Sequence, residues 1–387
     1  MQTTSTSSSR DSSGRMERLR LSEAFLPTSC TAAVFSGETH HLELNQIPLP
    51  MLGAGEILVK VTACTLCGSD LHSVEGRRKV PVPTILGHEI VGQIAAIGGD
   101  ITPADLANAP LHVGDLVTWA VVANCGKCFY CERDLPQKCL HSVKYGHEAF
   151  RPGKELLGGL AEYCLLVPGT AIIKLPPHLP TSVACPASCA TSTIAAVLEA
   201  AQPLKGRSIC ILGAGMLGLT ACAMSRSLGA THVICVDPQP FRRELALKFG
   251  ATHTSDSMQL GETLRSAGLL HGVDAVAELS GNNSAFESVW PLVRLGGTIV
   301  LAGSVFPSPA IGMALEQLVR RQITMRGVHN YGPRHLRTAI EFLASEHQNY
   351  PFESLVKQWF PLEQISEAMT AGKEPSAIRI GITMTQE

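Results

Sequence analysis

The chain has 387 residues, 45% of them hydrophobic, enough to bury a full core and to divide into two domains of about 100–200 residues each. Lys and Arg total 31 against 33 Asp and Glu, a near balance that excludes a nucleic-acid or membrane-surface binder working through bulk charge. Small molecules are the expected partners.

The opening MQTTSTSSSRDSSGRMERLR holds no apolar run of signal-peptide length, so the thirteen cysteines are expected in a reducing compartment, the cytoplasm. Residues 1–29 read as a disordered tail, with an organelle transit peptide as the alternative. The longest charge-free apolar stretch, residues 208–225, is rich in Gly and Ala and reads as strand, turn and helix start. A membrane span needs about 20 apolar residues, and none is expected here.

Residues 30–185 show short β-rich runs (57–62, 89–97, 116–122) broken by Gly, Pro and Asp, the spacing of a compact β-barrel-like domain. Cys67, in Leu66-Cys67-Gly68-Ser69-Asp70-Leu71-His72, and His88, in Gly87-His88-Glu89, offer a thiolate and an imidazole to a metal. Cys189, just after this domain, would supply a third ligand. Three protein ligands and one open position is the arrangement of a catalytic zinc, which makes a bound oxygen easier to deprotonate. Asp70 would orient His88 by accepting its other N–H. Cys64 rivals Cys67 and Cys185 rivals Cys189, and thiols that merely pack are the simpler reading of all four.

Further on, Cys125, Cys128, Cys131 and Cys139 follow one another at steps of three, three and eight. Four soft ligands on one short loop fit a tetrahedral structural zinc with bonds of about 2.3 Å. Two adjacent disulfides would need an oxidising compartment.

Residues 186–329 alternate apolar strands (209–212, 233–236, 275–279, 298–302) with helical segments (216–228, 242–248, 284–293), the mark of a parallel sheet with crossover helices. Gly213-Ala214-Gly215-Met216-Leu217-Gly218 follows the first strand and opens a helix, and Asp237 ends the next strand nineteen residues past Gly218. The first glycine makes the tight turn, the second admits a pyrophosphate, the third lets helix and strand pack, and the helix N-terminus holds the negative charge. A carboxylate at Asp237 accepts from ribose hydroxyls and repels a 2′-phosphate, which favours NAD over NADP. Arg242 and Arg243 follow closely, as greeters of a phosphate or as a solvated helix face. Residues 330–387 hold an amphipathic helix (336–344) and a last strand (378–383), and are expected to return to the first domain.

This order of motifs, Cys-Gly-Ser-Asp-x-His, Gly-His-Glu, the four-cysteine loop and Gly-x-Gly-x-x-Gly, resembles the zinc-containing medium-chain alcohol dehydrogenases from about residue 30 onward. The resemblance implies an α/β protein, a GroES-like β-barrel catalytic domain plus a Rossmann doubly wound parallel sheet, with the active site in the cleft between them. It implies two Zn2+ per chain, NAD, hydride transfer between an alcohol and its aldehyde or ketone, and a homodimer or homotetramer. Under it, Cys67, His88 and Cys189 match the catalytic-zinc ligands, and Glu89 the carboxylate that stands beside the metal and can ligate it transiently. Ser69 matches the hydroxyl that takes the alcohol proton, His72 the outer end of the proton relay, and Thr193 a contact to the nicotinamide. Two residues depart from the pattern: Gly68 replaces a basic residue found in some members, and Asp134 replaces a glycine often found in the structural-zinc loop.

The basic run Arg77-Arg78-Lys79 lies between Ser69 and His88, and Lys144-Tyr145-Gly146-His147 follows the four-cysteine loop. Arg78 and Lys144 are candidate contacts for an acidic substrate. Residues 75–78, 135–139 and 144–147 are also similar to a bacterial subgroup associated with phosphonate breakdown, which suits an anionic two-carbon alcohol or aldehyde. A neutral alcohol or polyol, with the arginines simply solvated, is the alternative. A different class, a zinc-stabilised nucleotide-binding protein without turnover, would differ at Cys67, His88 and Cys189.

Overall fold

The structure, a computed structural model, describes residues 26–37, 42–100 and 102–384. In chain order the first unit runs β1 (Ser29–Phe35), β2 (Leu42–Pro48), β3 (Ile57–Leu66), α1 (Gly68–Val74), β4 (Thr84–Ile85), β5 (Glu89–Ile97), β6 (Leu116–Trp119), β7 (Val122–Ala123), β8 (Val143–Lys144), β9 (Tyr163–Leu166) and β10 (Ile172–Lys174). Then come α2 (Thr181–Ala184), α3 (Ala190–Ala200), β11 (Ser208–Leu212), α4 (Met216–Ser227), β12 (His232–Val236), α5 (Pro240–Lys248), β13 (His253–Ser255), α6 (Leu260–Ser266) and β14 (Val273–Glu278). The last elements are α7 (Asn283–Val289), β15 (Val293–Leu301), α8 (Leu315–Arg320), β16 (Thr324–Gly327), α9 (Pro333–Glu346), β17 (Val356–Pro361), α10 (Ile365–Ala371) and β18 (Arg379–Thr383).

Residues 1–25 of the expected tail lie outside the described residues. Its boundary needs correction, because Ser29 already pairs with Pro48 in the β1–β2 ladder, so the barrel starts inside the segment read as tail. Most of the barrel is one seven-stranded sheet in the order β10-β6-β5-β3-β18-β17, with β9 also on β3. The final strand is thus inserted beside β3, with Ile380 opposite Leu66. Trp119, Tyr145, Ile90 and Leu160 fill the interior.

The second sheet is wholly parallel, ordered β13-β12-β11-β14-β15-β16, the 3-2-1-4-5-6 succession of a doubly wound nucleotide-binding fold. Every residue of β11, Ser-Ile-Cys-Ile-Leu, is buried, as a central strand covered on both faces requires. Strand order reverses between β11 and β14, with successive strands added outward to opposite sides, so a crevice opens at their carboxyl ends, where ligands of such sheets sit. One apolar cluster extends from Leu219 of α4 through Val197 of α3 and Leu336 of α9 to Val91 of β5, so that the two units share a packed seam.

Two expectations differ from the structure. The helix read over 284–293 ends at Val289 and passes through a 3-10 turn, Trp290–Leu292, into β15, because Pro291 has no N–H with which to continue an α-helix. The boundary placed at 185/186 falls inside a helical stretch, Thr181–Ser188, and the chain bends only afterwards, at the non-helical Cys189 that precedes α3. Among the described residues, no single helix is long and apolar enough to cross a membrane.

Candidate active site

Cys125, Cys128, Cys131 and Cys139 converge at a lobe on the barrel. Sulfur–sulfur distances are 3.5 Å for Cys128–Cys131, 3.8 Å for Cys128–Cys139 and 3.5 Å for Cys125–Cys139. Zinc–sulfur bonds of about 2.3 Å in a tetrahedron give edges of about 3.8 Å, so the thiols stand where a zinc ion needs them and much too far apart for disulfides. Backbone amides of Cys125 and His141 donate to Cys139 Sγ, each at 3.3 Å, offsetting thiolate charge. Asp134, in the loop between the third and fourth cysteine, takes the left-handed conformation (φ 57°) and holds it without glycine. Arg334 grips both oxygens of its carboxylate, at 2.8 and 3.0 Å.

The second group forms around the end of β3. Cys67 caps α1, His88 sits just before β5, and Cys189 ends the 3-10 turn that leads into α3. Their donor atoms all lie within 4.8 Å of one another, close enough to meet at one ion. Asp70, buried, accepts from Cys67 N at 2.9 Å and Gly87 N at 3.2 Å, and its Oδ1 lies 3.4 Å from His88 Nδ1. A carboxylate in that position favours Nδ1–H on His88 and leaves Nε2 as the free donor atom. Burial disfavours the imidazolium, but Asp70 and the Cys67 sulfur outweigh it and hold His88 up to about 10, so a cation bound here would displace the Nε2 proton. Cys67 is held well below an ordinary thiol, first by a hydrogen bond from Cys189, with burial opposing and Arg379 assisting. Two sulfurs sharing one proton beside a carboxylate form a donor set that a divalent cation completes.

The rival thiols are elsewhere engaged. Cys185 donates to Ala63 O at 3.4 Å and Cys64 to Thr65 O at 3.7 Å; burial pushes both thiols up, and both act as packing residues. Glu89 does not join the three ligands. Its carboxylate accepts from Thr65 Oγ1 at 2.6 Å and from Arg379 at 3.0 and 3.1 Å, which occupies it in an ion pair instead. Arg379 also reaches Cys67 Sγ at 3.7 Å. Sequence reading missed Arg379, because its place is set by the register of β18 on β3, a pairing no local motif announces.

Ser69 Oγ is 3.5 Å from His88 Nε2, at the edge of the metal position. His72, one turn along α1, has its ring edge-on to Phe306 at 5.0 Å, and its Nδ1 is 3.7 Å from Glu75 Oε2. Thr193 starts the second turn past Cys189, its amide bonded to Cys189 O at 3.0 Å. Tyr331, which the sequence did not single out, donates from its hydroxyl to Ser188 O and accepts from Val121 N at 3.2 Å, seating the Cys189 turn on the barrel.

In the dinucleotide loop the first and third glycines have a steric reason, whereas a Cβ at Gly215 would meet only Arg242 at 3.8 Å. Gly213 has φ +100°, Gly215 caps α4, and a Cβ on Gly218 would lie 1.8 Å from Gly213 O. Asp237 accepts from Ala214 N at 2.8 Å and Gln239 N at 2.9 Å, which fixes its carboxylate at the end of β12. Arg242 donates to Pro375 O at 3.0 Å, and with Arg379, Gly68 and Gly215 it borders a cavity of about 180 Å³ between the two units. Nothing stands within 4 Å of a Cβ built at Gly68, so the position where some members carry a basic residue is open space, and Arg242 and Arg379 line the same cavity. Arg243 instead donates to Asp237 O at 2.7 Å.

Arg78 and Lys144 also come together near the metal position. Arg78 Nη1 donates to His147 Nε2 at 2.5 Å, and the His147 ring lies 5.1 Å from that of His88.

A parallel nucleotide-binding sheet, a barrel with two metal-type sites and a cleft between them define a zinc- and dinucleotide-dependent oxidoreductase. The models of the alcohol dehydrogenase GroES-like domain and of the zinc-binding dehydrogenases match residues 53–177 and 217–345. An L-threonine 3-dehydrogenase of Coxiella burnetii is 30% identical over 346 residues, covering 87% of this chain and 95% of the relative. Among solved structures, an alcohol dehydrogenase of Thermotoga maritima superposes with a TM-score of 0.86 at 26% identity, covering 92% of this chain and all of the other. Alcohol dehydrogenase TADH of Thermus sp. ATN1 gives a TM-score of 0.81 at 28% identity, over 91% of this chain and 99% of its own. The chain belongs to the zinc-containing medium-chain alcohol dehydrogenase family, and is a zinc-dependent, NAD(P)-linked dehydrogenase acting on small molecules.

Proposed function

We propose that the chain oxidises a small polar alcohol with NAD, and reduces the matching aldehyde or ketone in reverse, at the site formed by Cys67, His88 and Cys189. The convergence of those three donor atoms carries the reading. A zinc ion bound there supplies Lewis acidity that lowers the pKa of an alcohol oxygen, and NAD supplies the hydride acceptor. Asp70 orients His88 and stiffens the turn that presents Cys67. Ser69 takes the alcohol proton, and His72, whose Nδ1 has no hydrogen-bond partner among the described residues, passes it outward. Glu89 keeps its station as the partner of Arg379 and sets the charge behind the metal.

Gly213, Gly215 and Gly218 give the pyrophosphate its close approach, Arg242 and Arg379 face it across the cleft, and Thr193 meets the nicotinamide. Asp237, held at the end of β12, selects NAD through the ribose hydroxyls. The relatives' names mention threonine and alcohols, and none mentions a phosphonate, so a phosphonate substrate gains no support from them. All described cysteines are free, in keeping with a reducing compartment such as the cytoplasm. Leu295, Leu315 and Val319 are exposed close to the edge strand β16, which supports a homodimer or homotetramer.

Alcohol-dependent NADH formation measured alongside metal content tests the proposal. Two zinc ions per chain with turnover on some alcohol is the expected result. One zinc and no turnover on a broad panel would instead favour a zinc-stabilised nucleotide-binding protein.

A further inference from the structure

Arg78 stands beside the metal position through His147, Lys144 feels both Arg78 and the Cys189 sulfur, and Lys138 adds its charge from the four-cysteine lobe; among the described residues none of the three has a carboxylate within ion-pairing distance. Arg78 lies past α1, Lys138 in the four-cysteine lobe and Lys144 at the end of β8. Arg78 is aimed by His147, whose Nδ1 donates to Tyr145 O at 2.8 Å and so leaves Nε2 to accept from the guanidinium. One guanidinium N–H is thereby fixed, and four remain to bind something else. Lys138 Nζ donates to His329 Nδ1 across the mouth of a cavity of about 750 Å³ that lies between the lobe, the ends of β15 and β16, and α9. Two carboxylates line that cavity, Asp134 and Glu199, and Arg334 pairs with both. Glu148, the acid nearest Lys144 in sequence, accepts from the Lys144 amide and is paired with Arg151 at 2.6 Å.

Arg78 and Lys144 are half-buried and Lys138 is exposed at the rim; half-buried positive charge without a counter-ion is costly, and a bound anion relieves the cost. The strain registers at Lys144, which burial first and then Arg78 push down to about 8. A planar guanidinium beside an ammonium is the donor arrangement that recognises a carboxylate or phosphate group. His147, its ring centre 5.1 Å from that of His88, places the Arg78 guanidinium next to the metal-ligand group.

We propose that Arg78, Lys144 and Lys138 form an oxyanion subsite beside the catalytic metal position, with His147 as the positioning residue for Arg78, so that the preferred alcohol is short and carries a terminal anionic group. The proposal rests on the dehydrogenase reading and assigns the substrate class at that same site. It also gives the four-cysteine lobe a part in substrate choice, because the lobe delivers Lys138.

The test uses the zinc-loaded enzyme with NAD and four primary alcohols on one three-carbon frame, ending in hydroxyl, carboxylate, phosphonate or phosphate. At least one anionic member should exceed the neutral diol in kcat/KM by about tenfold or more, since hydrogen bonds to charged groups are worth a factor of about 10 to 150. The ranking of the three anions identifies which oxyanion the subsite takes. In Arg78→Ala and Lys144→Ala, the ratio of anionic to neutral kcat/KM should fall about 10- to 100-fold, while Arg78→Lys keeps part of it. His147→Gln should lower the ratio through KM rather than kcat. Inorganic phosphate should compete with the neutral diol in wild type and lose that effect in Arg78→Ala. Zinc content and thermal melting of each variant show that it is folded. Equal kcat/KM on neutral and anionic alcohols, or equal proportional losses on both in the variants, would overturn the subsite and leave the dehydrogenase standing. No turnover on any member or on a wider alcohol panel would instead remove the dehydrogenase reading itself.

Discussion

Arg379 clasps Glu89 from 290 residues away, its Nε and Nη2 at 3.0 and 3.1 Å from the two carboxylate oxygens, with both side chains buried. Burial pushes Glu89 up to about 7 even with the guanidinium opposing it. Removing the arginine strands a carboxylate behind the metal ligands. Arg379→Met is expected to cost about 3–5 kcal/mol of stability, and the double variant Arg379→Met, Glu89→Gln should recover much of it. Urea unfolding of the two single variants and the double closes the cycle.

Asp70 serves three groups at once: the Cys67 amide, the Gly87 amide and the His88 ring. In Asp70→Asn the side-chain amide presents N–H to groups that are themselves donors. Zinc affinity at the Cys67 site should drop about 10- to 100-fold, with the four-cysteine site still filled. Competition with a graded chelator, following one ion per chain and then the other, reads this directly.

Cys128 packs its sulfur against those of Cys131 and Cys139 and accepts from Leu140 N at 3.5 Å. Cys128→Ser should release one zinc ion, open residues 125–139 to protease and lower the melting temperature. The lobe docks through Arg334 on Asp134 and Lys138 on His329, so metal loss should also reach the cleft and raise KM for the alcohol.

Gly218→Ala places a methyl group where Gly213 O already stands, 1.8 Å away. Helix α4 must withdraw from the loop, and KM for NAD should rise at least tenfold, about 1.4 kcal/mol. Isothermal titration with NAD separates this from loss of chemistry. Zinc content should be unchanged.

Asp274 accepts from Ser208 N at 2.9 Å and Ser208 Oγ at 2.7 Å and pairs with Arg294 at 2.7 Å. Burial pushes its carboxyl up, but those partners together outweigh burial and hold it below the ordinary 3.8. A depressed carboxylate stabilises the fold above its unfolded pKa and loses that contribution as pH falls through its folded value. Melting temperatures of wild type and Asp274→Asn should therefore differ most near neutrality and converge below about pH 4.

Much of this arrangement was legible in residue order because its chemistry is local. The four cysteines lie on one short loop and the glycines of 213–218 on one turn, so spacing conveyed their geometry; for Cys67, Ser69 and His72, clustered at one helix start, spacing left rivals open and the family resemblance supplied the expectation. Glu89 was legible as a neighbour of the metal but not as a partner of Arg379, since their meeting depends on β3 pairing with β5 on one side and β18 on the other. Tyr331 and Arg334 were silent for the same reason: each acts on a segment more than a hundred residues earlier. The strands β1, β2 and β17 were missed as well. β2 and β17 are mixed in polarity and β1 is a short apolar run without alternation, so ladder partners define all three.

The placement of β18 beside β3 has a consequence for how the molecule is born. Ribosomes release Cys67 and His88 early, yet the strand that completes their surroundings is translated only after the entire nucleotide-binding unit. The nascent barrel must wait with an open seam flanked by β3, shielded or at risk of mispairing, while the other unit is free to fold ahead of it.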